Sequence, residues 1–244
     1  MIAIPTSPWF HYAGDAAAWL LAALGGRWVW MHRRGAMTRL AGQTEPAYFI
    51  TLALGAVLGA WLAGSANSLR FSLPTPSHSI AGALAGAIVA VEYWKWRNGV
   101  RESTGGPFVI PLAIGIIVGR WGCLFAGLSD GTYGVPTALP WAVDLGDGIG
   151  RHPVQIYESL AMAGFLAFYW PALAPGRDWA VRHGFHAFVL AYAVQRFLWE
   201  FLKPYPTLIG PLNLFHFLML GLAVYAIAWI ARDVGRYRRR PGAA

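Results

Sequence analysis

Charge is scarce in this chain. Only 12% of its 244 residues are Asp, Glu, Lys or Arg, about half the share of an ordinary soluble domain, while 57% are hydrophobic. A soluble fold of this size would show water far too much apolar surface, which excludes that class. Cysteine is almost missing: the lone Cys123 excludes an internal disulfide framework and a cysteine metal cluster. The seven histidines show no close metal-ligand spacing, so neither a metal site nor a cofactor is expected. No internal repeat is present, which argues against a transporter built from two halves. Residues 209–231 hold no lysine for a retinal Schiff base. The first eight residues carry no Lys or Arg, and no small-residue cleavage site follows a short apolar core, so a cleaved signal peptide is not expected.

What is present is a series of apolar blocks. A helix needs about 20 residues to cross roughly 30 Å of hydrocarbon. The blocks fall at 9–31, 46–65, 78–96, 107–127, 155–173, 183–203 and 209–231. The expected fold is therefore an all-α integral membrane protein of about seven transmembrane helices, forming a single domain over residues 1–244. Orientation follows from the basic residues. Arg27, Arg33, Arg34, Arg39, Lys95, Arg97, Arg101, Arg177, Arg182, Arg232, Arg236, Arg238, Arg239 and Arg240 flank one side of the spans, whereas only Arg70, Arg151 and Lys203 flank the other. The amino terminus is thus expected outside and the carboxyl terminus, with its basic tail 232–244, in the cytoplasm. The same distribution accounts for the formal charge of +8. It is a topology signal, aided by anionic lipid, and not a nucleic-acid footprint.

Two connections exceed a tight turn. Ser65–Ser77 holds Pro74 and Pro76, and 128–154 carries Asp130, Asp144, Asp147, Arg151 and His152 among glycines. The interleaved Pro136, Trp141 and Val143 favour an ordered cap over the outer face.

Arg120 and Arg196 remain, each inside a span. A charge at mid-bilayer costs roughly 2.5–3.5 kcal/mol on insertion scales and calls for a partner or a task. Counted from span starts at Pro107 and His183, both lie about 20 Å from the inner surface. Glu200 and Tyr192 stand four residues either side of Arg196 on one helix face. Tyr157 and Glu158 open span five, Asp130 follows span four, and His78 begins span three. The expectation is a polar cavity open to the outer leaflet, with Arg151 near it in the loop. Two arginines suit bidentate recognition of phosphate, so an anionic phospholipid headgroup is the expected ligand. The alternative is an intrahelical Arg196–Glu200 pair with Arg120 snorkelling outward.

Several segments resemble the phosphatidylglycerol–prolipoprotein diacylglyceryl transferase family. Gly119-Arg120-Trp121-Gly122 is similar to the opening of its signature, and Tyr133-Gly134-Val135-Pro136-Thr137 to its end. Arg151-His152-Pro153-Val154-Gln155-Ile156-Tyr157-Glu158 resembles its Arg-His-Pro-x-Gln-x-Tyr-Glu segment. Arg196-Phe197-Leu198-Trp199-Glu200-Phe201 resembles an Arg-x-x-x-Glu-Phe stretch of its sixth span. The resemblance implies seven spans in the bacterial inner membrane, and transfer of a diacylglyceryl group from phosphatidylglycerol to a lipobox cysteine of a preprotein. It carries over Arg120, Gly134, Tyr192, Arg196 and Glu200 beside the Arg151–Glu158 segment.

The chain departs from that pattern. The family's His-Gly-Gly segment is here Ala81-Gly82-Ala83, leaving His78 as a candidate base. Cys123 and Ala126 stand where the signature has asparagines, Trp61 where span two usually ends in arginine, and Asp130 where the signature has glutamate. Candidate catalytic residues are therefore Arg120, Arg196, Glu200, His78 and Asp130. Candidate substrate-binding residues are Arg151, Tyr157, Glu158, Tyr192, Gly134 and Cys123. Cys123 reads either as a nucleophile or as a small residue that lets helices pack closely, and Gly82, Gly86, Gly115 and Gly119 as helix-contact positions. The alternative function is a phospholipid-binding protein of the same fold without the chemistry.

Overall fold

The computed structural model describes residues 1–32, 45–69, 77–173 and 178–238, apart from a few side chains at helix ends. Arg33, Arg34, Arg39, Arg70, Pro74, Pro76, Arg177, Arg239 and Arg240 lie outside the described residues. The protein is mostly helical. Among the described residues seven helices form: α1 (Trp9–His32), α2 (Pro46–Ser68), α3 (Ile80–Arg97), α4 (Val109–Ala126), α5 (Val154–Ala172), α6 (Asp178–Glu200) and α7 (Leu214–Arg238). Among the described residues three helical stretches, Pro46–Ser68, Gly106–Asp130 and Leu214–Gly235, are long and apolar enough to cross a membrane.

Local chemistry sets several of the ends. Pro46 occupies the first turn of α2, where its missing N–H costs nothing. Ser79 caps α3 by accepting a hydrogen bond from Gly82 N. Asn213 caps α7, its Oδ1 accepting from Phe215 N at 2.9 Å and His216 N at 3.2 Å. Gly127, at φ 71°, ends α4 in a conformation that penalises a side chain.

The helices pack in the succession α1–α4–α5–α6–α7, and the α2–α3 hairpin docks through α3 on α7. Tyr225 Oη donates to Glu92 Oε1 across that last seam at 2.9 Å. The main core runs through Ile110, Met162, Tyr169, Phe188 and Met219. Small residues set the closest approaches, as expected where helix backbones must touch. A Cβ on Gly86 would stand 2.1 Å from Gly55 O, and one on Gly59 2.3 Å from Gly82 O. On α4 the expectation needs correcting: Gly115 faces open space and Gly119 makes only an ordinary contact with Ala18. The close approach is made instead by Gly122, against which a Cβ on Gly14 would come within 2.4 Å.

The connection 128–154 is described throughout and folds as a cap. A 3₁₀ turn, Gly127–Asp130, follows α4. Strand β1 (Ile2–Ala3) pairs parallel with β2 (Val143–Asp144), which pairs antiparallel with β3 (Gly150–Arg151). Strands β4 (Thr207–Ile209) and β5 (Leu212–Asn213) form a hairpin between α6 and α7.

Candidate functional site

Arg120 and Arg196 meet on one carboxylate. Arg120 Nε lies 2.7 Å from Glu158 Oε2, and Arg196 Nη1 2.5 Å from Glu158 Oε1. Glu158 is fully buried near the amino-terminal end of α5, and both arginines are at least 95% buried. Their register is fixed by the adjacent residues: Trp121 Nε1 donates to Ser159 Oγ at 3.2 Å, and Ser159 Oγ donates to Ile117 O at 2.8 Å. Each bond ties α4 to α5 beside the Arg120–Glu158 pair.

The intrahelical pair also exists, with Arg196 Nε 3.1 Å from Glu200 Oε2. It is one half of a network, because Arg196 faces two carboxylates on two helices. Arg120 does not snorkel to the surface. The start of α6 at Asp178, ahead of His183, means that equal counts from span starts do not place the two arginines at one level. Their shared partner does.

Lys203 is a correction. Its place among basic surface flanks does not hold: the side chain is buried, with Nζ 2.8 Å from Glu158 Oε1. The turn after α6, closed by Lys203 N donating to Glu200 O at 3.2 Å, folds it back over the helix end. Sequence reasoning also missed Asn213, which donates from Nδ2 to Glu200 Oε1 at 3.1 Å. An asparagine directly before an apolar run signals a helix cap, but nothing local signals its second contact.

Among the described residues the resulting cluster holds three cations, Arg120, Arg196 and Lys203, against two carboxylates, Glu158 and Glu200. Tyr192, fully buried one turn before Arg196, has an Oη with no hydrogen-bond partner among the described residues.

Arg151 is held within the loop. It stays in the cap, where Nη1 and Nη2 donate to Asp147 Oδ1 and Oδ2 at 2.6 and 2.7 Å, and its guanidinium lies 5.3 Å from the Tyr133 ring centre. The Arg151 hydrogen bonds hold the Asp147 carboxyl below its ordinary range. Tyr157 Oη accepts from Trp141 Nε1 at 2.8 Å, tying the cap to α5. Gly134 is needed for contact: a Cβ there would stand 2.3 Å from His152 O. Around it, Val135 N donates to Leu202 O at 2.7 Å and His152 N to Val135 O at 3.1 Å. The Gly134 segment is thereby clamped between residue His152, just after β3, and the turn after α6.

His78 is exposed just before α3 and has no hydrogen bond to the cluster among the described residues. Cys123 is buried one turn beyond Arg120, its Sγ 4.0 Å from Arg120 Nη1. Asp130 is half-buried beside it with its side chain only 5% exposed, accepting from Thr132 Oγ1 and lying 2.8 Å from His11 Nδ1. Sequence spacing could not show that His11, Cys123 and Asp130 gather, because α1 and α4 are far apart in the chain. One ligand atom of each lies within 4.8 Å of the other two.

Fold and site define a class: a mostly helical bundle with long apolar helices, in which two arginines and a lysine converge on one buried carboxylate. The chain belongs to the prolipoprotein diacylglyceryl transferase family, whose profile matches residues 16–232. Relatives named phosphatidylglycerol–prolipoprotein diacylglyceryl transferase include one from Gloeobacter violaceus, 31% identical over 65% of this chain and 62% of its own length. One from Bordetella parapertussis is 32% identical over 59% of this chain and 56% of its own length. One from Nitratidesulfovibrio vulgaris is 30% identical over 76% of this chain and 74% of its own length. The chain thus matches less than two thirds of the length of the first two. No solved structure matches it.

Proposed function

We propose that this protein transfers a diacylglyceryl group from phosphatidylglycerol to a lipobox cysteine thiol. The observation that carries the reading is the charge of the buried cluster. Among the described residues three cations face two carboxylates, which leaves one positive charge in an apolar bundle. Uncompensated buried charge is costly, and a phosphate diester would neutralise it. Arginine suits this task because its planar fork matches two phosphate oxygens.

The chemistry follows from that placement. The acceptor sulfur attacks the glyceryl carbon that carries the phosphate. A C–S bond forms, the C–O bond breaks, and its electron pair leaves on glycerol phosphate. Arg120 and Arg196 offset the charge gathering on that leaving group, and Tyr192 offers its free hydroxyl to the same anion. Glu158 and Glu200 orient the guanidiniums. The thiol must lose its proton, being mostly neutral near pH 7. His78 and Asp130 are candidate acceptors for that proton, and the cap residues Gly134, Arg151 and Tyr157 shape the entrance.

The setting we propose is the bacterial inner membrane, crossed seven times, with the amino terminus and the site toward the outer leaflet. Exposed apolar side chains such as Trp19, Leu54 and Val57 support a lipid-facing exterior. Purified protein incubated with labelled phosphatidylglycerol and a lipobox peptide is expected to yield lipidated peptide and glycerol phosphate. Arg120→Ala should abolish both, and turnover unchanged in that variant would overturn the assignment. The exposed position of His78 favours a second reading, a phospholipid-binding protein without transfer. It predicts phosphatidylglycerol co-purifying with wild type but no product under any condition.

A further inference from the structure

We propose that His11, Cys123 and Asp130 form a site for a zinc-class divalent cation whose fourth position receives the acceptor thiol. The proposal rests on the transferase reading for its acceptor and goes beyond it in naming what activates the sulfur.

The three ligand types are those a borderline cation accepts, an imidazole nitrogen, a thiolate sulfur and a carboxylate oxygen. They converge within 4.8 Å, and bonds of about 2.0–2.3 Å in a tetrahedral site bring such atoms to roughly 3.5 Å. The rings and chains are held in place. His11 sits one turn before Gly14 and Cys123 directly after Gly122, the two glycines whose backbones touch. Ser7 N donates to Phe125 O at 2.9 Å, pinning the start of α1 to the end of α4. Thr132 occupies the second oxygen of Asp130, leaving the first toward His11.

A further contact has the form expected around a metal. His11 Nε2 lies 3.4 Å from Asp15 Oδ2 while Nδ1 faces Asp130. A carboxylate on the distal nitrogen fixes tautomer and ring orientation in carboxylate–histidine–metal arrangements. Three protein ligands with one position open is the pattern of catalytic rather than structural zinc. The His11 side chain is 41% exposed, while those of Asp130 and Cys123 are buried. Arg120 stands 4.0 Å from the Cys123 sulfur, which puts the cation next to the phosphate grip. Its own charge is met by Glu158.

This arrangement supplies what the thiol needs. A coordinated thiol is deprotonated outright. Its proton passes to water, the bound thiolate forms the C–S bond, and the C–O electron pair departs with glycerol phosphate held by the arginines. No histidine base is then required at the start of α3.

Cobalt(II) is the probe. Full-length protein in detergent should take up one equivalent with a near-ultraviolet thiolate-to-metal band. Adding lipobox peptide should change the visible spectrum as its sulfur enters. Cys123→Ser should lose the band, and His11→Ala, a half-exposed position, should lose uptake with an unchanged melting curve. Asp15→Asn should keep the stoichiometry and bind 10–100-fold more weakly. Absence of the band in wild type that still co-purifies phosphatidylglycerol would overturn the metal and leave the arginine reading standing. Equal uptake by wild type and Cys123→Ser would mark a surface histidine and overturn it too. A spectrum indifferent to peptide would overturn the role of the fourth position. Loss of bound phospholipid in wild type that shows the band would instead count against the transferase reading.

Discussion

Trp121 is hydrogen-bonded to Ser159 across α4 and α5 at 3.2 Å, and each stands one residue beyond a member of the Arg120–Glu158 pair. This bond sets the register in which a buried guanidinium and a buried carboxylate can meet. Ser159→Ala removes it together with the bond to Ile117 O. Interhelical hydrogen bonds in membrane proteins average about 0.6 kcal/mol and reach about 1.7, so a loss in that range is expected in unfolding measurements in mixed micelles. Transfer activity should fall more than stability does. Stability and activity both at the wild-type level would remove the register argument.

Glu158 should matter more to stability than Glu200. Glu158→Gln leaves Arg120 and Lys203 without their carboxylate, and Arg196 without one of two. Breaking a buried ion pair by removing one partner costs about 3–5 kcal/mol. Glu200→Gln takes from Arg196 only its second partner and keeps an acceptor for Asn213. Thermal melts of the two variants should differ clearly, and equal losses would contradict the shared-carboxylate geometry.

Gly134→Ala should open the cap. Its Cβ would collide with the backbone of His152, which cannot move without releasing Val135. Hydrogen exchange is expected to rise at 133–137 and 150–153 with loss of activity. Gly131→Ala is the control: its φ of 68° makes a side chain cost about 1–2 kcal/mol, but that Cβ meets open space. Exchange should then rise less, and the reverse order would refute the packing account.

Gly86→Val is expected to separate α2 from α3, since even a Cβ there would reach 2.1 Å from Gly55 O. Gly115→Val should be tolerated because nothing lies within 4 Å. Protease protection of the α2–α3 hairpin in detergent distinguishes them.

The Asp147–Arg151 pair carries a pH signature. Its hydrogen bonds lower the Asp147 pKa below the ordinary 3.8. A depressed carboxylate contributes stability that is present above the unfolded value and is lost as pH falls through the folded one. Cap protection should therefore hold from neutral pH down past 4 and fall only below 3.8, whereas Asp147→Asn should lower it at every pH. Cap exchange rates that change between pH 5 and 7 would exclude this pair as the cause.

Much of this protein was legible in its residues. Apolar blocks of helical length marked seven helices, because backbone polar groups in an apolar setting must be satisfied within one segment. Arg120 and Arg196 stood out because charge inside such blocks is costly, and the Arg151–Glu158 segment by its resemblance. What spacing along the chain could not reveal was which side chains converge. Lys203 read as a flank because only the turn after α6 returns it to Glu158, and the bidentate hold of Arg151 on Asp147 could not be read because it depends on the folded cap. His11 and Cys123 come together only because Gly14 and Gly122 let α1 and α4 touch. Helix formation is written locally, in hydropathy and caps. The site is written in contacts between helices, which exist only once packing has chosen their faces and register.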